Sequence, residues 1–126
     1  MQSKKAQYLG GIFMRYGQSR IELTDEERRE AKAVLRDNLV SLRKNLFLSQ
    51  TEFGNRTGIS RIRLSMIECG KYEMTWSQFT SILLIFLTNR STNHIILKSK
   101  MFNEKLYLYL QCKRKGEELD TNFKLL

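Results

Sequence analysis

The segment 48–70 constrains this chain more than any other, because it carries the signals for two short helices separated by a glycine turn. Ser49 and Glu52 form a capping-box pattern, in which each side chain accepts a backbone N–H at the start of a helix. Gly58 follows the end of that helical pattern, where glycine adopts a left-handed conformation without a Cβ clash. Ser60 can then cap the next helix. The sequence therefore predicts a compact helix pair joined by a turn of three or four residues.

The second helix of this pair has an unusual outward face. Leu64 and Ile67 fall three positions apart and are predicted to point inward together with Ile59. The other side carries side chains that form a poor solvating surface: Arg61, Ile62, Ser65 and Met66, with Arg63 at the edge. In the major groove of DNA, arginine can pair with guanine and an aliphatic side chain can contact a thymine methyl. The pattern therefore favours a helix that reads DNA bases.

These residues resemble the helix-turn-helix domain of the repressor/Cro-type (XRE) family. The matching positions are Leu48-Ser49-Gln50, Phe53-Gly54, Gly58-Ile59-Ser60, Leu64-Ser65 and Ile67-Glu68-x-Gly70. The resemblance extends over 39–87. Two features depart from the family pattern. The usual proline near Met74 is missing, and the outward face of the second helix has fewer hydrogen-bonding side chains than is usual.

The resemblance implies a role for each matching residue. Four residues would read bases: Arg61, Ile62, Ser65 and Met66. Two would contact either a base or a phosphate: Ser60 and Arg63. Three would contact phosphates: Gln50, Thr51 and Lys71. Arg43 and Glu68 match a buried ion pair that joins the first helix of the domain to the end of the recognition helix.

The remaining periodicity predicts an all-α fold. Thr24 and Glu27 form a second capping box, and the apolar spacing after them predicts an unusually long first helix over roughly 25–46. Thr75 is the expected cap of a later helix that contains the apolar run 82–87. A helix that is apolar all round is covered on more than one side, here by the domain core and by either the C-terminal segment or a second subunit. The resemblance implies a five-helix repressor-like domain.

We divide the chain into four parts: an N-terminal extension (1–23), the helix-turn-helix domain (24–90), a C-terminal helical segment for packing and dimerisation (91–115) and a poorly ordered tail (116–126). The extension fits either a small hairpin around Gly17-Gln18-Ser19 or a short helix. Its Lys4 and Lys5 fit either a basic arm along DNA or a frayed terminus.

The C-terminal segment is expected to be helical. Ser91 or Thr92 is the predicted cap of its first helix. The region 98–115 contains no proline and is predicted to be a helix, although the alternation of leucine and tyrosine over 106–110 also fits a strand. Its apolar content exceeds what a tail should expose, which is why we assign it to packing on the fourth helix and to dimerisation.

Composition favours a polyanion as partner and gives no support to catalysis. The net charge is +9, from 22 Lys and Arg against 13 Asp and Glu, so affinity for DNA should fall steeply with salt. His94 is the only histidine and has no evident acid–base partner. Cys69 and Cys112 lack the further ligands of a zinc site. We therefore expect no enzyme, no cofactor and no metal. The longest apolar run is far shorter than a membrane span, and a cytoplasmic location is expected.

The sequence thus favours a dimeric, sequence-specific DNA-binding transcriptional regulator. It would be a repressor of mobile-element type that reads an inverted-repeat operator in double-stranded DNA through the helix at 60–68. The alternative is a protein-interaction adaptor or an antitoxin with the same helical fold, because Ile62 and Met66 are apolar and face outward. A protein or peptide inducer remains open, and no membrane partner is expected.

Overall fold

The computed structural model describes residues 19–121, and this part of the chain is helical. The helices are α1 (Asp25–Asn45), α2 (Gln50–Thr57), α3 (Arg61–Glu68), α4 (Trp76–Thr88), α5 (Arg90–Lys98) and α6 (Glu104–Leu110). No strand occurs within 19–121, where an isolated bridge pairs Arg20 with Arg114. The all-α class is confirmed for this range. The alternatives for the N-terminal extension and its two lysines fall on 1–18, outside the described residues.

The chain divides into two compact units. One unit is Asp25–Phe102 and contains α1 to α5, whereas the other combines Met1–Thr24 with Asn103–Leu126 and contains α6. The first unit therefore extends past residue 90, where we expected the helix-turn-helix domain to end.

Helix α1 has the length that the sequence predicts. Its first turn contains acidic side chains and its last turn contains Arg43 and Lys44, so the charges at both ends are favourable to the helix dipole. Leu35, Leu39 and Leu42 are buried along one stripe. That stripe packs α1 against α3, α4 and α5.

The caps and the turn between α2 and α3 form as predicted. The Ser49 hydroxyl accepts from the Glu52 N–H at 3.1 Å, and the Glu52 carboxylate accepts from the Ser49 N–H at 2.9 Å. Gly58 is left-handed with φ 77°, and the Ser60 hydroxyl accepts from the Arg63 N–H at 3.1 Å. These local signals set where α2 ends and where α3 begins.

Aromatic rings join the helices of the first unit at its core. Phe53 on α2 stacks on Phe86 at 5.3 Å between centroids. Phe79 stacks on Trp76 at 4.6 Å and meets the edge of Phe102 at 5.9 Å. The other buried apolar residues of this unit are Leu35, Leu39, Leu42, Ile59, Leu64, Ile67, Met74, Ile82, Leu83 and Ile96.

The apolar run 82–87 is covered less completely than expected. Ile82, Leu83 and Phe86 are buried, and α5 packs on α4. Leu84, however, is 60% exposed. One apolar position of α4 therefore faces outward within the described part of the chain.

The predicted start of α5 is wrong. The helix begins at Arg90, directly after Asn89, and not after a cap at Ser91 or Thr92. Thr92 lies inside the helix and is fully buried, and its hydroxyl donates to the Phe86 carbonyl oxygen at 2.6 Å. The hydroxyl that looked like a cap therefore links α5 to the end of α4.

The predicted continuous helix over 98–115 is also wrong. Helix α5 ends at Lys98, and Lys100 is left-handed with φ 56°. The side chain of Asn103 then caps α6 by accepting from the Leu106 N–H at 3.0 Å. Because 106–110 lies in α6, the strand alternative for that stretch is excluded.

The second unit is held together by backbone and side-chain hydrogen bonds. The Ile21 N–H donates to Lys113 O at 3.0 Å, and the Lys115 N–H donates to Ser19 O at 2.9 Å. Gln111 and Asp120 exchange two hydrogen bonds of 3.0 and 2.7 Å. We expected a poorly ordered tail from residue 116, but these bonds place residues up to Asp120; residues 122–126 lie outside the described part.

Replacement of Gly54 by alanine tests how closely the turn packs on α2. A Cβ at Gly54 would lie 2.4 Å from the carbonyl oxygen of Ile59, and a backbone atom cannot swing aside. We expect Gly54→Ala to lower the free energy of unfolding in urea by about 1–3 kcal/mol, although alanine is the better helix former. Asn55→Ala, at the exposed neighbouring position, is the control. A G54A variant as stable as the parent would contradict this packing.

Two carboxylates predict a loss of stability in acid. The Ser49 backbone N–H and hydroxyl hold the pKa of Glu52 below its usual 4.5, and a hydrogen bond from Lys32 together with its charge does the same for Glu73. A lowered pKa in the folded state stabilises the fold above pH 4.5, and this contribution is lost as the pH falls through the lowered value. We expect the melting temperature of the wild type to fall more steeply below pH 4.5 than that of an E52Q/E73Q variant. If the melting temperatures of the two proteins fell equally with pH, the hydrogen bonds of Glu52 and Glu73 would contribute nothing to stability.

Candidate functional site

A nearly buried ion pair joins the end of α1 to the end of α3. The Arg43 guanidinium donates to the Glu68 carboxylate through Nε at 2.7 Å and through Nη2 at 3.1 Å. The two side chains are 10% and 7% exposed. Arg43 and Glu68, which the resemblance pairs, therefore do lie in contact, in the bidentate geometry that is strongest for arginine and a carboxylate.

Two further hydrogen bonds extend this ion pair to α2 and to the loop before it. Arg43 Nη1 donates to the Leu48 carbonyl oxygen at 2.9 Å, and Gln50 Nε2 donates to Glu68 Oε1 at 2.8 Å. The resemblance assigns Gln50 to a phosphate. One N–H of its amide is used by Glu68, and the second N–H is the donor that a phosphate would meet.

The outward face of α3 is present as a surface. Leu64 and Ile67 are buried on one side of the helix. The four residues expected to read bases share the other side: Arg61 and Ile62 are exposed, and Ser65 and Met66 are half-buried. Ile62 is 69% exposed, so an aliphatic side chain stands in solvent beside an arginine.

Arg63 differs from Arg61 because it is held by an aromatic ring. Its Cζ lies 3.6 Å from the centroid of the Tyr72 ring. The loop after α3 brings Tyr72 back to the helix, since Gly70 has φ 79° and the N–H groups of Lys71 and Tyr72 donate to Met66 O at 2.8 and 3.2 Å. Sequence reasoning missed Tyr72. Only the glycine turn hinted that the chain would reverse there.

The residues expected to meet phosphates lie at the start of α2 and after α3. Thr51 and Lys71 are exposed, and Gln50 is half-buried. Ser60 is exposed too, and the cap of α3 uses its hydroxyl oxygen as an acceptor but not its O–H donor. The backbone therefore brings Lys71 to the end of α3, while the Gln50–Glu68 bond ties the start of α2 to that same end.

The segment 48–71 is net positive, because its cationic side chains outnumber its carboxylates. It contains four cationic side chains: Arg56, Arg61, Arg63 and Lys71. Its two carboxylates are Glu52, which completes the capping box, and Glu68, which is bound to Arg43. The unbalanced cations attract a polyanion.

A cleft of about 370 Å³ lies between α1 and the loop after α3. Its charged lining residues are Glu26, Arg29, Glu30, Lys32, Arg36 and Glu73. Lys32 and Glu73 pair at 2.8 Å, and Arg29 pairs with Glu26 at 2.8 Å. Two ion pairs use four of these six charges, and the cleft indicates no particular ligand.

The described residues offer no metal centre. Within 19–121, no three His, Cys, Asp or Glu side chains lie close enough to hold a metal ion. Cys69 and Cys112 are free, exposed thiols. His94 is exposed, and its Nδ1 lies 3.2 Å from Arg90 O in its own helix. None of the helices in this part of the chain combines the length and the apolar character needed to cross a membrane.

Comparison with known proteins identifies no relative: no family model, no curated protein and no solved structure matches this chain.

Removal of Arg43 should destabilise the whole first unit. Arg43→Met leaves the Glu68 carboxylate buried with Gln50 as its remaining partner, and loss of one member of a buried ion pair costs about 3–5 kcal/mol. Urea denaturation measures the cost. Arg29→Met is the matched control, because its ion pair with Glu26 is exposed to solvent and should contribute far less than a buried pair.

Replacement of both partners, in R43M/E68L, should recover part of the loss because no charge remains buried. A stability of R43M equal to that of R29M would contradict the structural role of the pair.

Proposed function

We propose that this protein is a sequence-specific DNA-binding transcriptional regulator that acts as a dimeric repressor and reads an inverted-repeat operator through α3. The observation that carries the proposal is the outward face of this helix. Arginine, serine and two aliphatic side chains lie opposite a fully buried side, in a helix of only eight residues. A surface of this kind solvates poorly but matches the donors, acceptors and methyl groups of the major groove.

The arrangement of the first unit supports a repressor-like helix-turn-helix domain. Helices α2 and α3 contact one another, and their short connection contains the left-handed Gly58. The resemblance to the repressor/Cro-type (XRE) family points to the same five-helix architecture, with α1 to α5 as its helices. In such domains the second helix of the pair enters the major groove while the first crosses the backbone.

The proposed contacts divide into base reading and positioning. Arg61, Ile62, Ser65 and Met66 would meet base edges. Residues at helix starts and in the loop would meet the backbone: Gln50, Thr51 and Lys71, with Ser60 and Arg63 able to meet either. In a two-fold dimer, two copies of α3 would enter successive major grooves about 34 Å apart. The basic charge of the segment would supply a sequence-independent part of the affinity.

A second function, that of a cytoplasmic protein-interaction adaptor or antitoxin, is favoured by exposed apolar side chains. Phe47, Ile62 and Leu84 are 92%, 69% and 60% exposed. A protein partner would bury such groups, and a protein or peptide inducer could contact any one of them. The two functions differ in salt dependence, since binding through several phosphates weakens steeply with salt and an apolar interface does not.

Selection from a random duplex DNA library at near-physiological salt tests the proposal directly. We expect enrichment of an inverted repeat whose half-sites are about 10 base pairs apart, or a multiple of the helical turn. Retention of DNA without enrichment would reduce the interaction to electrostatic binding. That outcome would favour the adaptor, and a search for protein partners would follow.

Substitutions on α3 and α2 should have different effects on the selected operator. Arg61→Ala should cost about 1–3 kcal/mol and relax the preference at one base pair, whereas Gln50→Ala should weaken all sequences alike. Fluorescence anisotropy with single-base operator variants measures both. Arg36→Ala removes an exposed cation from α1 and serves as the control that keeps every preference. Should Arg61→Ala discriminate the variants as well as the parent does, Arg61 does not read bases.

A further inference from the structure

The contact between Arg63 and Tyr72 has the geometry of a stacked cation–π pair. The guanidinium carbon lies 3.6 Å from the ring centroid, well inside the range of about 6 Å over which such pairs attract. A guanidinium that stacks through its face keeps its N–H donors in the plane, at its edges. The ring therefore restricts the side chain without using the groups that would meet DNA.

The backbone holds Tyr72 in place independently of this contact. Two N–H groups of the loop, those of Lys71 and Tyr72, donate to the Met66 carbonyl oxygen at 2.8 and 3.2 Å. Two residues beyond Tyr72, Met74 is 2% exposed and belongs to the core. The backbone is thus fastened on both sides of Tyr72, which places its ring beside Arg63.

The side chains of the two arginines of α3 consequently differ in how far they are restricted before binding. The Arg61 side chain is exposed, and no hydrogen bond, ion pair or ring contact joins that side chain to another residue within 19–121. Arg63 is half-buried and held on the ring. An arginine that is already restricted loses less conformational entropy when it binds, and it presents its donors in fewer directions.

We propose that Tyr72 is a positioning residue for DNA recognition: its ring orients the Arg63 guanidinium at the edge of α3, so that Arg63 meets its base or phosphate in one geometry. This inference rests on the proposed function. It assigns a role to a residue outside the recognition helix, and it makes the loop after α3 a determinant of affinity through Arg63.

The test is a double-mutant cycle on the selected operator, with Arg63→Ala, Tyr72→Leu and the combined variant. We expect Tyr72→Leu to weaken binding about two- to fivefold, and to have no further effect once Arg63 is alanine. Tyr72→Phe keeps the ring and should bind as the parent does, which separates the ring face from the hydroxyl. A merely structural role of Tyr72 would weaken binding equally with and without Arg63, and that result would overturn the proposal.

Nuclear magnetic resonance of the free protein checks the contact without DNA. The side-chain protons of Arg63 should be shifted upfield by the ring current in the parent and in Tyr72→Phe, and this shift should disappear in Tyr72→Leu. Absence of the shift in the parent would overturn the inference and leave the proposed function intact. A parent that shows the shift but enriches no DNA sequence would overturn the proposed function, and the role of Tyr72 in recognition with it.

Discussion

The bidentate contact between Arg43 and Glu68 is the interaction on which the arrangement of this protein depends. The two side chains are only 10% and 7% exposed. Loss of either partner would therefore leave the other charge buried and unpaired. Its remaining hydrogen-bonding groups reach Leu48 and Gln50. One cluster therefore sets the end of α1, the loop that follows, the start of α2 and the end of α3.

Because this cluster and the core hold α3 by its buried side, the exposed side of the helix need not contribute to folding. Leu64 and Ile67 anchor the helix to the core. The Ser60 hydroxyl accepts a backbone N–H at the start of the helix, and the loop donates N–H groups to a carbonyl oxygen at its end. The side chains on the exposed side of α3 are therefore not constrained by folding and can suit a binding partner. Helix α3 thus has a buried side that stabilises the fold and an exposed side whose apolar groups are unfavourable in water. This contrast is the reason that α3 is the proposed recognition element.

Much of the first unit could be predicted because its signals are local. The capping box at Ser49, the left-handed turn at Gly58 and the apolar stripe of α1 each depend on residues a few positions apart. The C-terminal predictions were wrong where the same local pattern is compatible with two different structures. Thr92 resembles a cap, but a buried carbonyl of Phe86 takes its hydroxyl. Asn103 was overlooked as a cap because apolar residues on both sides suggested one helix.

By itself, the sequence determined where the first four helices lie and which face of α1, α2 and α3 is buried, since propensity, capping and periodicity act over one or two turns. Apart from the Arg43–Glu68 pair, which the family resemblance implied, only the tertiary structure decided which polar side chains of different elements meet. The bond from Gln50 to Glu68 and the stacking of Arg63 on Tyr72 join residues from different elements. Such contacts depend on how the chain turns between helices, which helical periodicity and capping do not specify.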